Sequence, residues 1–282
     1  MQTSSIRFLN QLNKKFYESV ADSFDDSRSY SWTGGETLKP FIIKLIEKKK
    51  EKSGDAPGGP LRVLDIGCGN GRFAKWLSEL MHLAQINTKI EYTGIDFNEF
   101  LLQKARERTQ NLPKVTTDFK QVDIVESLLQ KTPLSTQKYD LIVCFGVMHH
   151  IPGQEMRQKL VEQISKLMVE SEKSNSIACI ATWQFDSLPN LFSRSQQLQD
   201  SRLVPDAEAG DYLLNWERKM VGKSANKEEN LSSSPRFCHL VSDAESIQWW
   251  QITKLSLIQK YLSDGPKNQS NAYWIVTNNV VK

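Results

Sequence analysis

Three glycines at alternate positions follow an aspartate in the segment Asp65-Ile-Gly67-Cys-Gly69-Asn-Gly71. Glycine lets the backbone turn sharply and lets a ligand lie against it without a Cβ collision. The spacing is not the Gly-x-Gly-x-x-Gly phosphate fingerprint, because the third glycine comes one residue early, and no Lys-Ser or Lys-Thr follows as in a Walker loop. The segment therefore predicts a loop that cradles a ligand at the start of a helix, where N–H groups lack partners within the helix.

Two further acids stand at the ends of predicted strands. Asp96 closes the second strand in Gly94-Ile-Asp96, and Asp123 closes the third in Gln121-Val-Asp123-Ile124. In a doubly wound sheet these positions face the crevice above the glycine loop. An acid at Asp96 can accept both hydroxyls of a ribose, and Asp123 is placed to meet an adenine amino group. The loop and the acids together predict a site for an adenosine-bearing ligand.

A parallel sheet is needed to bring these residues together, and the chain alternates accordingly. Short apolar runs predict five strands over residues 61–66, 90–95, 119–122, 139–145 and 176–182. Amphipathic segments predict helices over residues 71–83, 98–109 (with Asn98 as N-cap) and 154–170. The alternation predicts an α/β, doubly wound fold, with parallel strands between two helical layers.

The chain end and two polar stretches define the organisation. Ser242-Asp-Ala-Glu245 is a capping box that opens a helix, and residues 255–262 and 272–277 predict an antiparallel hairpin around Asp264-Gly-Pro. Lys48–Pro60 is rich in Lys, Gly and Pro and predicts an exposed linker. We therefore expect an N-terminal helical lid and linker over residues 1–59 and a ligand-binding domain over 60–282, with a polar insertion at 183–241.

Composition excludes several classes of protein. The 282 residues are 39% hydrophobic, which is enough to build a core, and the net charge of +3 makes no strong case for nucleic acid except through a local patch. No run approaches the roughly 20 apolar residues of a membrane span, and Met1–Lys15 lacks the apolar run of a secretory signal. The four cysteines match no disulfide or zinc spacing, so we predict no metal site. We expect a cytoplasmic protein without membrane contact, also nuclear if the host is a eukaryote.

The motifs around the glycine loop carry a family resemblance. Val63-Leu-Asp65-Ile-Gly67-Cys-Gly69-Asn-Gly71, Gly94-Ile-Asp96 and Val122-Asp123 resemble the class I S-adenosylmethionine (SAM) methyltransferases. From residue 60 onward, the resemblance implies a Rossmann-like, seven-stranded sheet with its last strand antiparallel and SAM as the cofactor. In that family the acid at the position of Asp65 orders the loop near the methionine end of SAM. The cofactor-binding residues that the resemblance implies are Asp65, Gly67, Cys68, Gly69, Asn70, Gly71, Asp96, Phe97, Asp123, Ile124 and Phe145.

The methyl acceptor is the second question that the sequence raises. Methyl transfer from a sulfonium is an in-line displacement that needs alignment and shielding from water. A base is needed for an amine or phenol, whereas a carboxylate is already ionised at neutral pH. His149 and His150 follow the fourth strand and are candidate bases. Alternatively, they shape the loop by hydrogen bonding to its backbone.

The N-terminal segment is similar to the opening of the tRNA wobble-uridine methyltransferases, which esterify a carboxymethyl group on a modified uridine and include the methyltransferase part of the AlkB-homologue tRNA enzyme. Tyr17, Ala21, Phe24, Arg28 and Trp32 fall in register with that family's pattern. The similarity implies tRNA as acceptor and a small zinc-binding activator subunit as partner. Arg28 could clamp a carboxylate or phosphate while Trp32 or Tyr30 stacks on a base. The alternative is that the aromatic residues pack a lid helix and that Arg28 forms a salt bridge.

Late in the chain, Arg236-Phe-Cys-His239 is similar to the same family's Arg-Tyr-Tyr-His segment. Arg236 and His239 are therefore candidates for neutralising an acceptor carboxylate. The strand-five exit keeps only Trp183 of that family's Val-Trp-Ala, and the insertion has no counterpart in its motif set. Two alternatives stay open: a methyltransferase for a small acid or another metabolite, and a non-catalytic partner protein with the same fold. The sequence does not define the oligomeric state.

Overall fold

The computed structural model describes residues 1–27, 32–51, 59–171, 174–215 and 235–278. The strands are β1 (Leu61–Ile66), β2 (Ile90–Asp96), β3 (Val115–Gln121), β4 (Leu141–Phe145), β5 (Glu170–Ser171), β6 (Ser174–Asn175), β7 (Ile177–Trp183), β8 (Gln196–Gln197), β9 (Asp211–Leu214), β10 (Arg236–His239), β11 (Ser256–Ser263) and β12 (Asn271–Thr277). The helices are α1 (Thr3–Ser27), α2 (Gly34–Glu51), α3 (Arg72–Leu83), α4 (Glu99–Thr109), α5 (Ile124–Leu129), α6 (Gln154–Leu167), α7 (Pro189–Phe192) and α8 (Asp243–Thr253).

Seven of the strands form one sheet in the order β11-β12-β7-β4-β1-β2-β3. β12 runs antiparallel to both of its neighbours, and the remaining adjacent pairs are parallel. The chain leaves β1 towards β2 on one side and later returns to place β4 on the other side. This reversal opens a crevice at the carboxyl ends of β1 and β4. The predicted doubly wound fold and the antiparallel last strand are confirmed.

The central strands are buried on both faces because helices cover both sides of the sheet. The edge strand β3 differs from the prediction: it begins at Val115, not at Phe119. Phe119 is its only fully buried residue, and its other residues are exposed or half-buried. An edge strand covered mainly on one face needs few apolar residues, which is why the sequence pattern under-reported its length.

Both N-terminal helices pack on the sheet layer. α2 buries Leu38, Ile42 and Leu45 against one face of the sheet. It continues to Glu51, so Lys48–Glu51, which were predicted to belong to the linker, are helical. α1 buries Ile6 in the core on the other side and Leu9 against the insertion. α1 thereby lies over the carboxyl edge of the sheet, where the crevice opens.

The insertion after β7 contains a small antiparallel sheet in the order β10-β9-β8. Leu198, Val204, Leu213 and Phe237 from this region form an apolar cluster with Leu9 of α1. The predicted polar insertion therefore has a core of its own that docks on the N-terminal helix. No helix in the described part of the chain has the length and apolar character needed to cross a membrane.

Candidate active site

The glycine loop between β1 and α3 forms a narrow cradle. Gly67, Gly69 and Gly71 have φ values of 75°, 51° and 74°, a left-handed backbone that favours glycine. The N–H groups of Gly67 and Cys68 donate to the carbonyl of Ile95 across 2.8 and 3.0 Å, which holds the loop against β2. A Cβ on Gly67 would lie 2.1 Å from Cγ2 of Val147 in the turn after β4. The cradle therefore exists only because side chains are missing there.

Asp96 lies at the tip of β2 beside this loop. Its Oδ2 accepts a hydrogen bond from the Gly69 N–H and its Oδ1 accepts one from the Asn98 N–H, each across 2.9 Å. Burial raises the pKa of Asp96, and the backbone hydrogen bonds oppose that rise. Each carboxylate oxygen can accept further bonds. The carboxylate is thus fixed in orientation and retains the capacity to accept two vicinal hydroxyls.

Asp65 lies at the end of β1, on the floor of the same site. The Tyr92 hydroxyl donates a hydrogen bond to its Oδ2. Burial raises the pKa of Asp65 to about 7, while the bond from Tyr92 lowers it. A buried carboxyl poised in this way favours a cationic ligand group, since a nearby positive charge favours the ionised form.

Asp123 caps α5 by accepting a hydrogen bond from the Glu126 N–H across 3.0 Å. The lid helix α1 also reaches it: Nδ2 of Asn10 and Nζ of Lys14 both lie 3.1 Å from its carboxylate oxygens. Asp123 is the residue predicted to meet an adenine amino group. Because α1 shares this carboxylate, the predicted adenine end of the site lies next to α1.

These features surround one cavity of about 430 Å³ at the carboxyl edge of the sheet. Gly71 differs from the other predicted cofactor residues in its role. A Cβ added to it would lie 3.0 Å from Cβ of Ala105. The glycine allows close packing of the loop on α4 and does not line the cavity. The predicted residues that do line it are Asp65, Gly67, Cys68, Gly69, Asn70, Asp96, Phe97, Asp123, Ile124 and Phe145.

His150 also lines the cavity. Its Nδ1 is 2.8 Å from the Phe237 carbonyl oxygen, which can only accept, so Nδ1 carries a proton. Burial, together with the charge of Arg236, lowers the pKa of His150 to about 3. The ring is therefore neutral, and its Nε2 accepts the hydrogen bond of the Tyr17 hydroxyl across 2.7 Å.

His149 is buried and its ring centroid lies 4.2 Å from that of His150. Its Nδ1 accepts a hydrogen bond from the Trp183 N–H across 3.2 Å. In the neutral ring the proton must then be on Nε2. Both histidines thus hold backbone groups of the surrounding elements, which favours the second of the two roles that the sequence left open.

Arg236 lies between two aromatic rings at the cavity wall. Its guanidinium carbon is 4.9 Å from the ring centroid of Phe16 and 4.6 Å from that of Trp183. Both distances are within the range of cation–π contacts. The two rings therefore hold a cation at the wall of the cavity, next to Trp183 at the end of β7.

The structure corrects the prediction for His239. Its Nδ1 is 2.7 Å from Oδ1 of Asp211 and its Nε2 is 3.0 Å from Oε2 of Glu245, so both nitrogens face carboxylates. Arg157 binds the other oxygen of Glu245 across 2.6 Å, and all four side chains are buried. Successive strand residues point to opposite faces, so Arg236 and His239, three apart in β10, cannot both face the cavity.

The remaining predictions concern the N-terminal segment. Tyr17, Phe24 and Trp32 line the cavity, and Trp32 is also packed: its Nε1 donates to the Tyr273 hydroxyl across 3.0 Å. Packing is therefore observed for Trp32, and stacking of these aromatic residues on a base stays a prediction. Arg28 and Tyr30 lie outside the described residues, so their roles stay predictions.

Sequence reasoning missed Asn10 and Asn13, which also line the cavity. They share one helix face with Tyr17, since the three residues lie at positions i, i+3 and i+7 of α1. That periodic polar face was a usable signal. Its meaning depends on where α1 docks, which the sequence pattern does not reveal.

Comparison with known proteins agrees with this geometry. Residues 59–229, more than half of the chain, match the family described as a methyltransferase domain. The chain is 25% identical over 153 residues to the probable tRNA methyltransferase 9B of Bos taurus, which covers 54% of this chain and 26% of that protein. It is 34% identical over 134 residues to the ubiquinone biosynthesis O-methyltransferase of Actinobacillus pleuropneumoniae, covering 46% of this chain and 53% of that protein. The chain thus matches about a quarter and about half of the lengths of these two relatives.

Solved structures share the fold at low identity. The magnesium protoporphyrin IX methyltransferase of Synechocystis, solved with bound S-adenosylhomocysteine (SAH), superposes with a TM-score of 0.55 at 12% identity, covering 96% of this chain and 99% of that one. A SAM-dependent methyltransferase of Methanosarcina mazei gives 0.54 at 13%, covering 77% and 92%.

The sheet order, the glycine cradle and the acids at the strand tips define a Rossmann-like α/β methyltransferase fold. The chain belongs to the methyltransferase-domain family. The predicted methyltransferase class is confirmed at the level of the family, and the predicted cofactor agrees with the SAH bound in a solved structure of the same fold.

The residues present fit SAM, because the cradle that a Cβ on Gly67 would fill lies beside two oriented acids. Asp96 would hold the ribose hydroxyls, Asp123 the adenine end and Asp65 the methionine end. When bound, the cofactor supplies an electrophilic methyl group on a sulfonium. The chain's own residues position the two partners and, with α1 over the crevice, exclude water.

Proposed function

We propose that this methyltransferase modifies a carboxylate, and that the carboxylate is the carboxymethyl group of a modified wobble uridine in tRNA. The observation that carries the proposal is the Arg236 cation, which contacts Phe16 and Trp183 on the cavity wall, the part of the cavity that we take as its acceptor end. Its in-plane N–H groups suit a planar anion that accepts two hydrogen bonds. An ionised acceptor fits this end of the cavity better than a neutral one.

The state of the two histidines supports the same acceptor. An amine or phenol needs a base to remove its proton, whereas a carboxylate is ionised at neutral pH and needs none. The basic nitrogen of His150 already accepts the Tyr17 hydroxyl, and the low pKa of His150 makes it a poor base. Nδ1 of His149 accepts a backbone N–H. This arrangement suits an acceptor that arrives deprotonated.

The choice of tRNA rests on the N-terminal and late motifs and on the tRNA methyltransferase relative. We infer that Arg28 adds a second positive charge for the acceptor or for a neighbouring phosphate. We also infer that a small zinc-binding activator subunit assists the enzyme, as the resemblance implies. Both inferences extend the proposal and are tested separately from it.

A second candidate is a small-molecule acid or another metabolite. The similarity to the ubiquinone biosynthesis O-methyltransferase, which is higher in identity over a shorter stretch, favours this alternative. The same stacked arginine would then hold a free carboxylate in place of one carried by RNA.

The deciding experiment is transfer of radiolabelled methyl from SAM to bulk tRNA, with the activator present and absent. We expect label in tRNA that RNase releases and that mild alkali converts to methanol, because a methyl ester is labile to base. Alkali-stable label would refute the carboxylate, and label in a small RNase-resistant product would favour the metabolite.

Variants of Arg236 connect the activity to the site. R236A should reduce kcat/KM for tRNA roughly 10- to 100-fold, the effect of losing a charge-assisted hydrogen bond. R236K should recover only part of that loss, because lysine keeps the charge but not the planar fork. The exposed Arg202 of the same insertion provides the matched control, and R202A should leave kcat/KM unchanged.

A further inference from the structure

Three residues on one face of α1 each contact a different part of the acceptor end of the cavity. Asn13, Phe16 and Tyr17 lie at positions i, i+3 and i+4, which share a helix face. Asn13 contacts the backbone of β10, Phe16 stacks on Arg236, and Tyr17 binds His150. The helix that covers the cofactor crevice therefore also forms part of the acceptor site.

The carboxamide of Asn13 is only 4% exposed and both of its ends are used. Its Oδ1 accepts a hydrogen bond from the Phe237 N–H across 2.7 Å, and its Nδ2 donates to the His150 carbonyl across 3.3 Å. The orientation of the amide is fixed by its partners, since a backbone N–H only donates and a carbonyl only accepts. One buried side chain thus joins α1, the turn after β4, and β10.

His150 binds the same backbone unit from the other side. Its Nδ1–H donates to the Phe237 carbonyl, while its Nε2 accepts from Tyr17. The N–H and the carbonyl of Phe237 are therefore both held by side chains outside the small sheet. Phe237 directly follows Arg236, so these two bonds fix the backbone that carries the Arg236 side chain.

We propose that Asn13 and His150 are positioning residues that clamp the backbone of Phe237 and thereby hold Arg236 at the acceptor end of the cavity. His150 acts as a neutral bridge in a fixed tautomer, and no proton passes through it during methyl transfer. The proposal rests on the proposed function only in taking Arg236 as the group that binds the acceptor. The clamp itself is a statement about the free enzyme.

Substitution by glutamine separates a bridge from a base. Glutamine can donate to the Phe237 carbonyl and accept from Tyr17, but it cannot take up a proton at neutral pH. H150A should raise the KM for tRNA roughly tenfold with a smaller change in kcat, because a buried hydrogen-bond pair is lost. H150Q should restore KM to within about threefold of the wild type. N13A should resemble H150A.

The controls address folding and cofactor binding. The Kd for SAH, measured by calorimetry, should stay within about twofold in all three variants, because none of the changed bonds touches the glycine loop. H82A and N190A change exposed residues of the same types and should leave KM unchanged. If kcat fell strongly in both H150A and H150Q, His150 would be a base and the proposal would be overturned.

Two measurements on the free enzyme test the clamp without any substrate. Nitrogen NMR of the imidazole rings should find His150 protonated at Nδ1 and bare at Nε2 throughout pH 5.5 to 8. Hydrogen exchange at the Phe237 amide should accelerate at least roughly tenfold in N13A relative to N190A, because the buried acceptor is removed. A titrating His150 or an unchanged exchange rate would refute the clamp even if tRNA is methylated. If both measurements gave the expected results but tRNA were not methylated, only the proposed function would be refuted.

Discussion

Oδ2 of Asp96 accepts the hydrogen bond of the Gly69 N–H across 2.9 Å, and this bond joins the tip of β2 to the glycine loop after β1. The residue expected to hold the ribose therefore also fixes the loop that faces the rest of the cofactor. Binding geometry and loop geometry depend on one carboxylate. Its loss should therefore weaken cofactor binding both directly and through the loop.

We predict that D96N weakens SAH binding by about 2–3 kcal/mol, because charge-assisted hydrogen bonds to hydroxyls become neutral ones. Calorimetry measures this directly, and thermal unfolding shows whether the variant folds. D118N, which changes an exposed aspartate of β3, is the matched control and should bind normally. Equal affinity in D96N and D118N would show that Asp96 does not hold the ribose.

Gly67 should tolerate no side chain. G67A places a Cβ 2.1 Å from Cγ2 of Val147 at a φ of 75°, so we expect a loss of about 1–3 kcal/mol in the free energy of unfolding together with weakened SAH binding. Adding V147A removes the steric contact but not the backbone strain, and should restore only part of the stability.

The control is G59A, because the Cβ built on Gly59 meets nothing within 4 Å. Urea unfolding of the four proteins should rank G59A with the wild type, then G67A/V147A, then G67A. A G67A protein as stable as G59A would contradict the close approach of the two loops.

The affinity for SAH should depend on pH through Asp65. Burial raises the pKa of Asp65 to about 7, so below that pH the carboxyl is protonated in the free enzyme. If the cationic amino group of the ligand binds the ionised form, affinity should rise about tenfold per pH unit below roughly pH 7 and level off above it. Calorimetry between pH 5.5 and 8.5 tests this. D65N should bind more weakly and lose the slope; a slope retained in D65N would assign it to another group.

The buried network around His239 should make stability depend on pH. Burial alone would lower the pKa of His239, but its hydrogen bonds to Asp211 and Glu245 outweigh burial and raise it. A histidine with a raised folded pKa stabilises fully below its unfolded value, about 6.5, and that contribution is lost as pH rises through the folded value.

We therefore expect H239Q to lower the free energy of unfolding by about 3–5 kcal/mol at pH 6, where the imidazolium is paired with two carboxylates. The difference between wild type and H239Q should shrink by pH 9. Urea unfolding at the two pH values measures it, with the exposed His82 replaced in H82Q as the control. A difference that grows with pH would mean that the ring is neutral in the folded protein.

Much of the cofactor site could be predicted from the sequence because its residues lie at strand ends. The loop 67–71 follows β1, Asp96 ends β2 and Asp123 comes shortly after β3, and parallel strands bring their carboxyl ends to one edge. The motif predicted Gly71 as a cofactor-binding residue, but the glycine is required for close packing against Ala105 and does not line the cavity.

The acceptor end depended on tertiary contacts. Arg236 and His239 looked equivalent in the sequence, yet a spacing of three in a strand sends them to opposite faces, one to the cavity and one to a buried network. The polar face of α1 is visible in the sequence, but the role of Asn13 on that face is not, because its partners, His150 and Phe237, lie 137 and 224 residues away along the chain.

Local patterns alone determined the sheet and the cradle, since strand periodicity and glycine conformation are properties of short segments. The methyl donor was predicted from the family resemblance that those segments carry. Only the folded chain decided that α1 supplies one wall of the cavity, that His150 is neutral and bridged, and that Arg236 contacts Phe16 and Trp183 at the cavity wall. Those outcomes depend on which distant surfaces meet and on how deeply each group is buried, and neither quantity is encoded in the spacing of residues along a single element.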